Sequence, residues 1–261
     1  MNHLFLSPHL DDVALSAGGL VHSLTMRGET PVIATAATAD RDPTLPLSLL
    51  AQDLHRKWDL GEQPYRARRD EDLEACRILC AQSLHGGLYD AIYRISLVDG
   101  RILYETVEAL FGGVLASGDP IVSELESSLR EWMTGLRPSR LYVPLGVGRH
   151  VDHVAMNAAA RRVAAELNTE VWLYEDFPYA VGEFPEHAPD SVAAALQRSD
   201  WQTQTPEIVR VGLEEKYAAI KAFGTQLNVI FPPGKDARAF IENYAVSVGG
   251  DCWAERYWPA H

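Results

Sequence analysis

Cysteine is scarce. The chain has three in 261 residues, an odd number that excludes a disulfide framework. Cys76 and Cys80 are spaced as neighbours on one helix face, where packing is their natural use. This usage suits a reducing compartment. No stretch comes near the ~20 consecutive apolar residues that cross a bilayer, and the opening MNHLFLSPHLDD has neither a basic leader nor a long apolar run. A soluble, cytoplasmic protein without a membrane span is the expectation. Positive charge is in the minority too. The chain carries 23 Lys and Arg against 36 Asp and Glu, a formal charge of -13 that repels a phosphate backbone and argues against nucleic acid as a partner. There is no internal repeat and no low-complexity linker. Against these absences stand 47% apolar residues, enough to bury a sizeable core as one domain over residues 1–261. Composition leaves a homo-oligomer open.

The apolar pattern predicts an α/β fold. A short apolar run at 4–6 meets a polar cluster at 7–12, after which Ala14, Leu15, Leu20, Val21 and Leu24 recur at helical spacing. Residues 31–37, with β-branched Val32 and Ile33, suit a buried second strand, so the first unit reads as βαβ with a parallel pair. The expected architecture is a Rossmann-like, doubly wound, mostly parallel sheet with helices on both faces. Residues 39–66 read as a long excursion around a short helix at about 48–58, of the kind that borders active sites. A helix is predicted over 68–83 with Leu73, Cys76, Leu79 and Cys80 on one face. Residues 86–104 give no clear pattern. Further helices are expected at about 120–135, 153–167 and 213–223, and strands at 140–143, 171–174 and 208–211, before an aromatic-rich tail. Gly18 and Gly19 lack the spacing of a phosphate loop and read as close-packing residues.

Two constellations carry chemistry. His9, Asp11 and Asp12 lie where the first strand ends, and His150, Asp152 and His153 lie after another predicted strand at the opening of a helix. Ligands of an open parallel sheet bind beyond the carboxyl ends of its strands. Imidazole and carboxylate are zinc donors, and one His and one Asp from the first loop with one His from the second would make a catalytic three-ligand set. A remaining Asp then has the task of accepting a proton from water, and a remaining His that of stabilising or protonating a tetrahedral species. The reaction class this predicts is hydrolysis. A nucleotide-binding module would need a phosphate-cradling loop and has no use for His150 and His153 together.

These residues resemble a known family. SPHLDDVALSAGG looks like the Pro/Ala-His-Pro-Asp-Asp-Glu signature of the PIG-L (LmbE-like) N-acetylglucosaminyl deacetylases, and RHVDH looks like their His-x-Asp-His element. RRDEDLEACRIL is similar to the family's Arg-x-x-Glu helix, LYEDFPYA to its late strand and Pro-Tyr loop, KYAAIKAFGTQ to its penultimate helix, and WAERYW to its closing segment. The resemblance implies zinc ligands His9, Asp12 and His153, with Asp11 as general base. It also implies His150 as an electrostatic or acid partner held by Asp152, and Arg68 near the substrate. Iron(II) suits the same donors. The implied substrate is a small molecule, an N-acetylated amino sugar resembling N-acetylglucosamine on a larger aglycone. The alternative is an amidase that removes a larger acyl group or cleaves a thiol-sugar conjugate. Tyr179, Trp201, Trp253 and Trp258 are candidates to stack on a sugar face. Leu10 and Val13 replace the family's usual proline and glutamate.

Overall fold

In a computed structural model, residues 1–61, 63–231, 234 and 236–261 are described. Seven strands form one sheet: β1 (Asn2–Ser7), β2 (Thr30–Ala37), β3 (Gln82–Leu88), β4 (Arg140–Pro144), β5 (Val171–Tyr174), β6 (Glu207–Arg210) and β7 (Ala254–Ala260). Their spatial order is β3-β2-β1-β4-β5-β7-β6. The first five pair in parallel, and β7 runs antiparallel to both β5 and β6. The expected doubly wound sheet is therefore present, with an antiparallel extension along one side. The helices are α1 (Asp12–Met26), α2 (Leu49–Trp58), α3 (Pro64–Leu79), α4 (Val107–Leu110), α5 (Ile121–Leu136), α6 (Val151–Leu167), α7 (Val192–Arg198), α8 (Glu214–Ala222), α9 (Leu227–Ile230) and α10 (Ala237–Gly249).

Alternation along β1 divides the core in two. Leu4 and Leu6 join Leu125 and Leu129 of α5 and Met156 and Ala159 of α6 on one face. Phe5 points the other way, with Val13 and Ala17 of α1 and Ala75 and Leu79 of α3. Gly18 and Gly19 allow the approach of later elements to α1: a Cβ on Gly19 would lie 2.7 Å from Val211, and one on Gly18 3.2 Å from Lys216. The Glu255 carboxylate of β7 accepts hydrogen bonds from the amides of Gly19 (3.0 Å) and Leu20 (2.9 Å), from Lys216 Nζ (2.7 Å) and from the Tyr257 hydroxyl (2.7 Å).

Two expectations are corrected. The helix predicted over 68–83 begins earlier, with Pro64 in its first turn, and ends at Leu79, because Cys80 takes a left-handed conformation (φ 54°) with no glycine to announce it. Its buried face also differs: Leu73 and Cys80 are exposed, whereas Tyr65, Arg68, Asp72, Ala75, Cys76 and Leu79 are buried. Polar residues on the inner face hid the period. Asp72 accepts hydrogen bonds there from His85 Nε2 (2.8 Å) and Ser83 Oγ (3.1 Å), which tie α3 to β3. The aromatic tail contains α10 and β7, neither of which the pattern predicts.

Candidate active site

β1 and β4 are adjacent and parallel, so the loops leaving their carboxyl ends face each other across the crevice where the winding reverses. The two constellations meet there. The His9 ring lies 4.7 Å from that of His150 and 5.4 Å from that of His153, centroid to centroid.

His9 and His153 are each oriented by a carboxylate on one nitrogen. His9 Nε2 donates to Asp152 Oδ2 (2.9 Å), which leaves Nδ1 facing Asp12 Oδ2 at 3.4 Å. His153 Nδ1 donates to Asp176 Oδ1 (2.7 Å), and its Nε2 is sealed from solvent with no hydrogen-bond partner among the described residues, 3.4 Å from Asp12 Oδ1. Asp12 is itself fixed by the amide of His9 (2.7 Å). Two imidazole nitrogens and one carboxylate thus converge, each imidazole backed by a carboxylate, as in divalent-metal sites. The local field favours positive charge. Burial opposes charge on His153, yet Asp12 and Asp176 outweigh it and push the ring up to about 10. Burial likewise opposes charge on His9, and Asp90, Asp12 and Asp152 together hold it well above its usual range.

Distance alone would permit other donor sets. Atoms of His9, His150 and His153 lie within 4.8 Å of one another, as do those of His9, Asp90 and Asp152. Prior commitments decide against both. His150 Nδ1 accepts the Asp152 amide (3.2 Å), so the neutral ring carries its proton on Nε2, and burial keeps it neutral. Asp152 accepts from His9, from the Ala91 amide (3.0 Å) and from Arg94. Asp90 accepts from Tyr65 and from the Ile92 amide (3.1 Å). Asp152 meets the His150 ring through its backbone amide, while its carboxylate turns to His9. Asp152 stays far below the usual carboxylate range because Arg94 and His9 outweigh its burial.

Asp11 stands at the helix start but makes no capping hydrogen bond. Burial pushes its carboxyl up to about 6, against the pull of the Arg68 guanidinium 3.8 Å away. Arg68 is 3% exposed. It lies over the rings of Trp58 (5.0 Å) and Tyr65 (4.9 Å), donates to the Tyr65 hydroxyl (3.1 Å), and has a buried Nε without a hydrogen-bond partner among the described residues.

His9, Asp11, Asp12, Arg68, Asp90 and His150 line a cleft of about 280 Å³. Leu54 and Trp58, from the 39–66 excursion, wall it as expected, with Phe111, Phe184, Val229 and Ile230. Of the aromatics singled out from sequence, Tyr179 lines the cleft. Trp201 is buried beside α6, Trp258 packs against the same core, and Trp253 packs near α10. Asp90, Asp176 and Phe111 were not singled out. Asp176 had a signal, since it follows β5 directly and so sits at the same end of the sheet as the two motifs.

A sequence profile described as PIG-L, GlcNAc-PI de-N-acetylase, matches residues 4–164. The chain belongs to the PIG-L family. Among relatives, 2'-N-acetylparomamine deacetylase of Streptomyces fradiae is 29% identical over 186 residues, which cover 68% of this chain and 57% of that protein. The zinc-inhibited form of teicoplanin deacetylase Orf2 superposes with a TM-score of 0.84 at 26% identity, covering 100% of this chain and 98% of the other. The A40926 pseudoaglycone deacetylase Dbv21 gives 0.80 at 26% identity, covering 99% and 96%. These PIG-L relatives are N-deacetylases, hydrolases of amide bonds. No helix among the described residues of this PIG-L protein is long and apolar enough to cross a membrane.

Proposed function

We propose that this PIG-L protein is a metal-dependent hydrolase that removes the acetyl group from an N-acetylated amino sugar carried on a larger glycoside. The paromamine and glycopeptide relatives support that substrate class. The observation that carries the reading is the buried His153 Nε2, without a hydrogen-bond partner among the described residues and facing Asp12, which also faces His9 Nδ1, with the Asp11 carboxyl lining the same cleft as His9 and Asp12.

His9, Asp12 and His153 would hold zinc, and iron(II) suits the same donors. Such an ion, when bound, supplies Lewis acidity and acidifies water. Asp11 takes a proton from the attacking water and returns it to the leaving nitrogen, a task suited to a carboxyl raised toward neutrality. His150 Nε2–H donates toward the oxygen on which charge develops. Arg68 binds a substrate oxygen and keeps Asp11 from being neutralised by its burial. Asp152 and Asp176 are positioning residues that fix which nitrogen each histidine presents. The three free cysteines are in keeping with a cytoplasmic setting.

An acetate-release assay over N-acetyl amino sugars, free and glycosidically linked, tests the reading. Activity should vanish on chelation and return with zinc or cobalt; full activity after verified metal removal would overturn it. Asp176→Asn should weaken zinc affinity by roughly 10-fold to 100-fold, the usual worth of a carboxylate behind a ligating histidine. Competition against a chromophoric chelator measures this, and unchanged affinity would remove Asp176 from the metal centre. A second reading, release of a larger acyl group by the same residues, is favoured by the apolar wall of Leu54, Trp58, Phe184, Val229 and Ile230. A series of N-acyl chain lengths on one sugar separates the two.

A further inference from the structure

Behind the cleft lies a second hollow of about 410 Å³, a volume suited to a small organic ligand. The two back onto each other along the chain. Phe111 and His150 line the cleft, while their chain neighbours Gly112 and Arg149 line the hollow. Three guanidiniums, from Arg149, Arg161 and Arg198, share it with one carboxylate, that of Asp200. This is a local excess of positive charge in a chain of formal charge -13.

The three arginines are committed to different degrees. Arg198 is forked onto the buried Asp190 carboxylate, with Nη1 3.0 Å from Oδ1. Asp190 also accepts the Gly148 amide (3.0 Å), so Arg198 is tied through it to the loop that precedes His150. Arg161 reaches the exposed Asp200 at 3.3 Å, a surface pair of the kind that contributes little. Arg149 makes no ion pair among the described residues. Its Nη2 comes only within 3.5 Å of the Ala188 carbonyl, and its buried Nε has no hydrogen-bond partner among them.

The backbone at Arg149 is also unusual. Its φ is +60°, in the left-handed region where glycine is at ease and a β-carbon is crowded, and its amide closes a turn onto the Gly146 carbonyl (3.3 Å). Gly113 leaves room for the side chain, since a Cβ there would lie 3.2 Å from the Arg149 Cβ. A residue held where glycine would sit more easily has a use for its side chain.

We propose that this hollow binds an anionic group, a carboxylate or a phosphate, with Arg149 as its principal ligand and Arg161 and Arg198 as flanking charges. The fork of donors on a guanidinium matches the oxygens of either anion. One source is an acidic substituent on the larger part of the glycoside, reaching past Phe111; this arm rests on the deacetylase reading above. The other is a free anion, which would act on the reaction through the loop, since Arg149 immediately precedes His150.

Inorganic phosphate titrated into the metal-loaded protein by calorimetry tests the site without reference to turnover. Arg149→Gly removes the guanidinium and suits the left-handed backbone, and Arg161→Gln leaves the loop untouched. Phosphate held at the metal is common to all three proteins, so the difference between them reports the hollow. Arg149→Gly should weaken binding by ~10-fold or more, the usual worth of a charge-assisted hydrogen bond, and Arg161→Gln by less. Equal affinity in all three proteins, or no binding to any, overturns the proposal. Two N-acetylglucosaminides that differ only in a carboxylate or a carboxamide on the aglycone then separate the sources. For an acidic substituent, wild type prefers the carboxylate in kcat/KM by ~10-fold, and both Arg149→Gly and added phosphate abolish the preference. For a free anion, the two glycosides react alike, and phosphate shifts kcat in wild type but not in Arg149→Gly. Protein that binds phosphate through Arg149 yet releases acetate from neither glycoside supports the site and overturns the deacetylase reading alone.

Discussion

Asp11→Asn is expected to leave a folded, metal-loaded protein that turns over ~10²-fold to 10⁴-fold more slowly, the usual worth of a general base. The neighbouring substitution, Asp12→Ala, is expected to lose metal and activity together. Adjacent carboxylates diverge here because a helix begins between them. Asp12 opens α1 with its oxygens turned to the His9 amide and the two histidines, while Asp11, one residue before, turns to the cleft and Arg68. Asparagine keeps the size of Asp11 and removes only its capacity to accept a proton. Metal stoichiometry and kcat measured side by side on the two variants decide the matter. An Asp11→Asn protein that lacks metal, or an Asp12→Ala protein that retains it and works, would reverse or void the assigned roles.

The largest effect on stability is expected outside the reacting groups, at Lys216 and Glu255. Both are buried, and the ion pair at 2.7 Å is packed against the middle of α1. Lys216→Met leaves the Glu255 carboxylate with neutral donors only, and removing one partner of a buried pair costs about 3–5 kcal/mol. For a chain of this size, 1 kcal/mol corresponds to roughly 2–4 °C in melting temperature, so a drop on the order of 10 °C should be visible by calorimetry. Pairing Lys216→Met with Glu255→Gln should recover part of the loss, because no uncompensated charge then remains. A single variant that melts with the wild type would mean that water or relaxation reaches the pair.

Strands β1, β2, β4 and β5 were legible because they are short apolar runs joined to helices of clear period; β3 was not, since Gln82–Leu88 is mostly half-buried and carries Gly86 and Gly87 in place of an apolar run. The site was legible for the same reason, since a strand end that carries His and Asp locates chemistry by topology. What sequence did not give was orientation. That Asp152 turns to His9 rather than His150 depends on the first turn of α6 and on Arg94 arriving from a segment without periodicity. Asp90 lies in that same segment, where a capped 3₁₀ turn at Ala91–Tyr93 leaves no repeating signal. β7 was missed because Pro259 within it reads as a breaker and because both its partners are distant in sequence. Arg68 and Asp72 on the inner face of α3 reversed the polarity from which that helix was read.

The position of β7 also fixes an order of assembly. β6 hydrogen-bonds to the sheet through β7, yet residues 207–210 leave the ribosome before residues 254–260. Until β7 docks, β6 has nowhere to pair, and β5 presents a bare edge of buried, apolar residues, Val171 and Leu173 among them. Strands β1, β2, β4 and β5 are already synthesised in that interval, so a nascent sheet waits with an open flank. Such a flank is where pairing with another chain begins. The antiparallel extension that distinguishes this sheet therefore doubles as its closing seal, and the timing of its arrival sets how long the growing protein is exposed to misassembly.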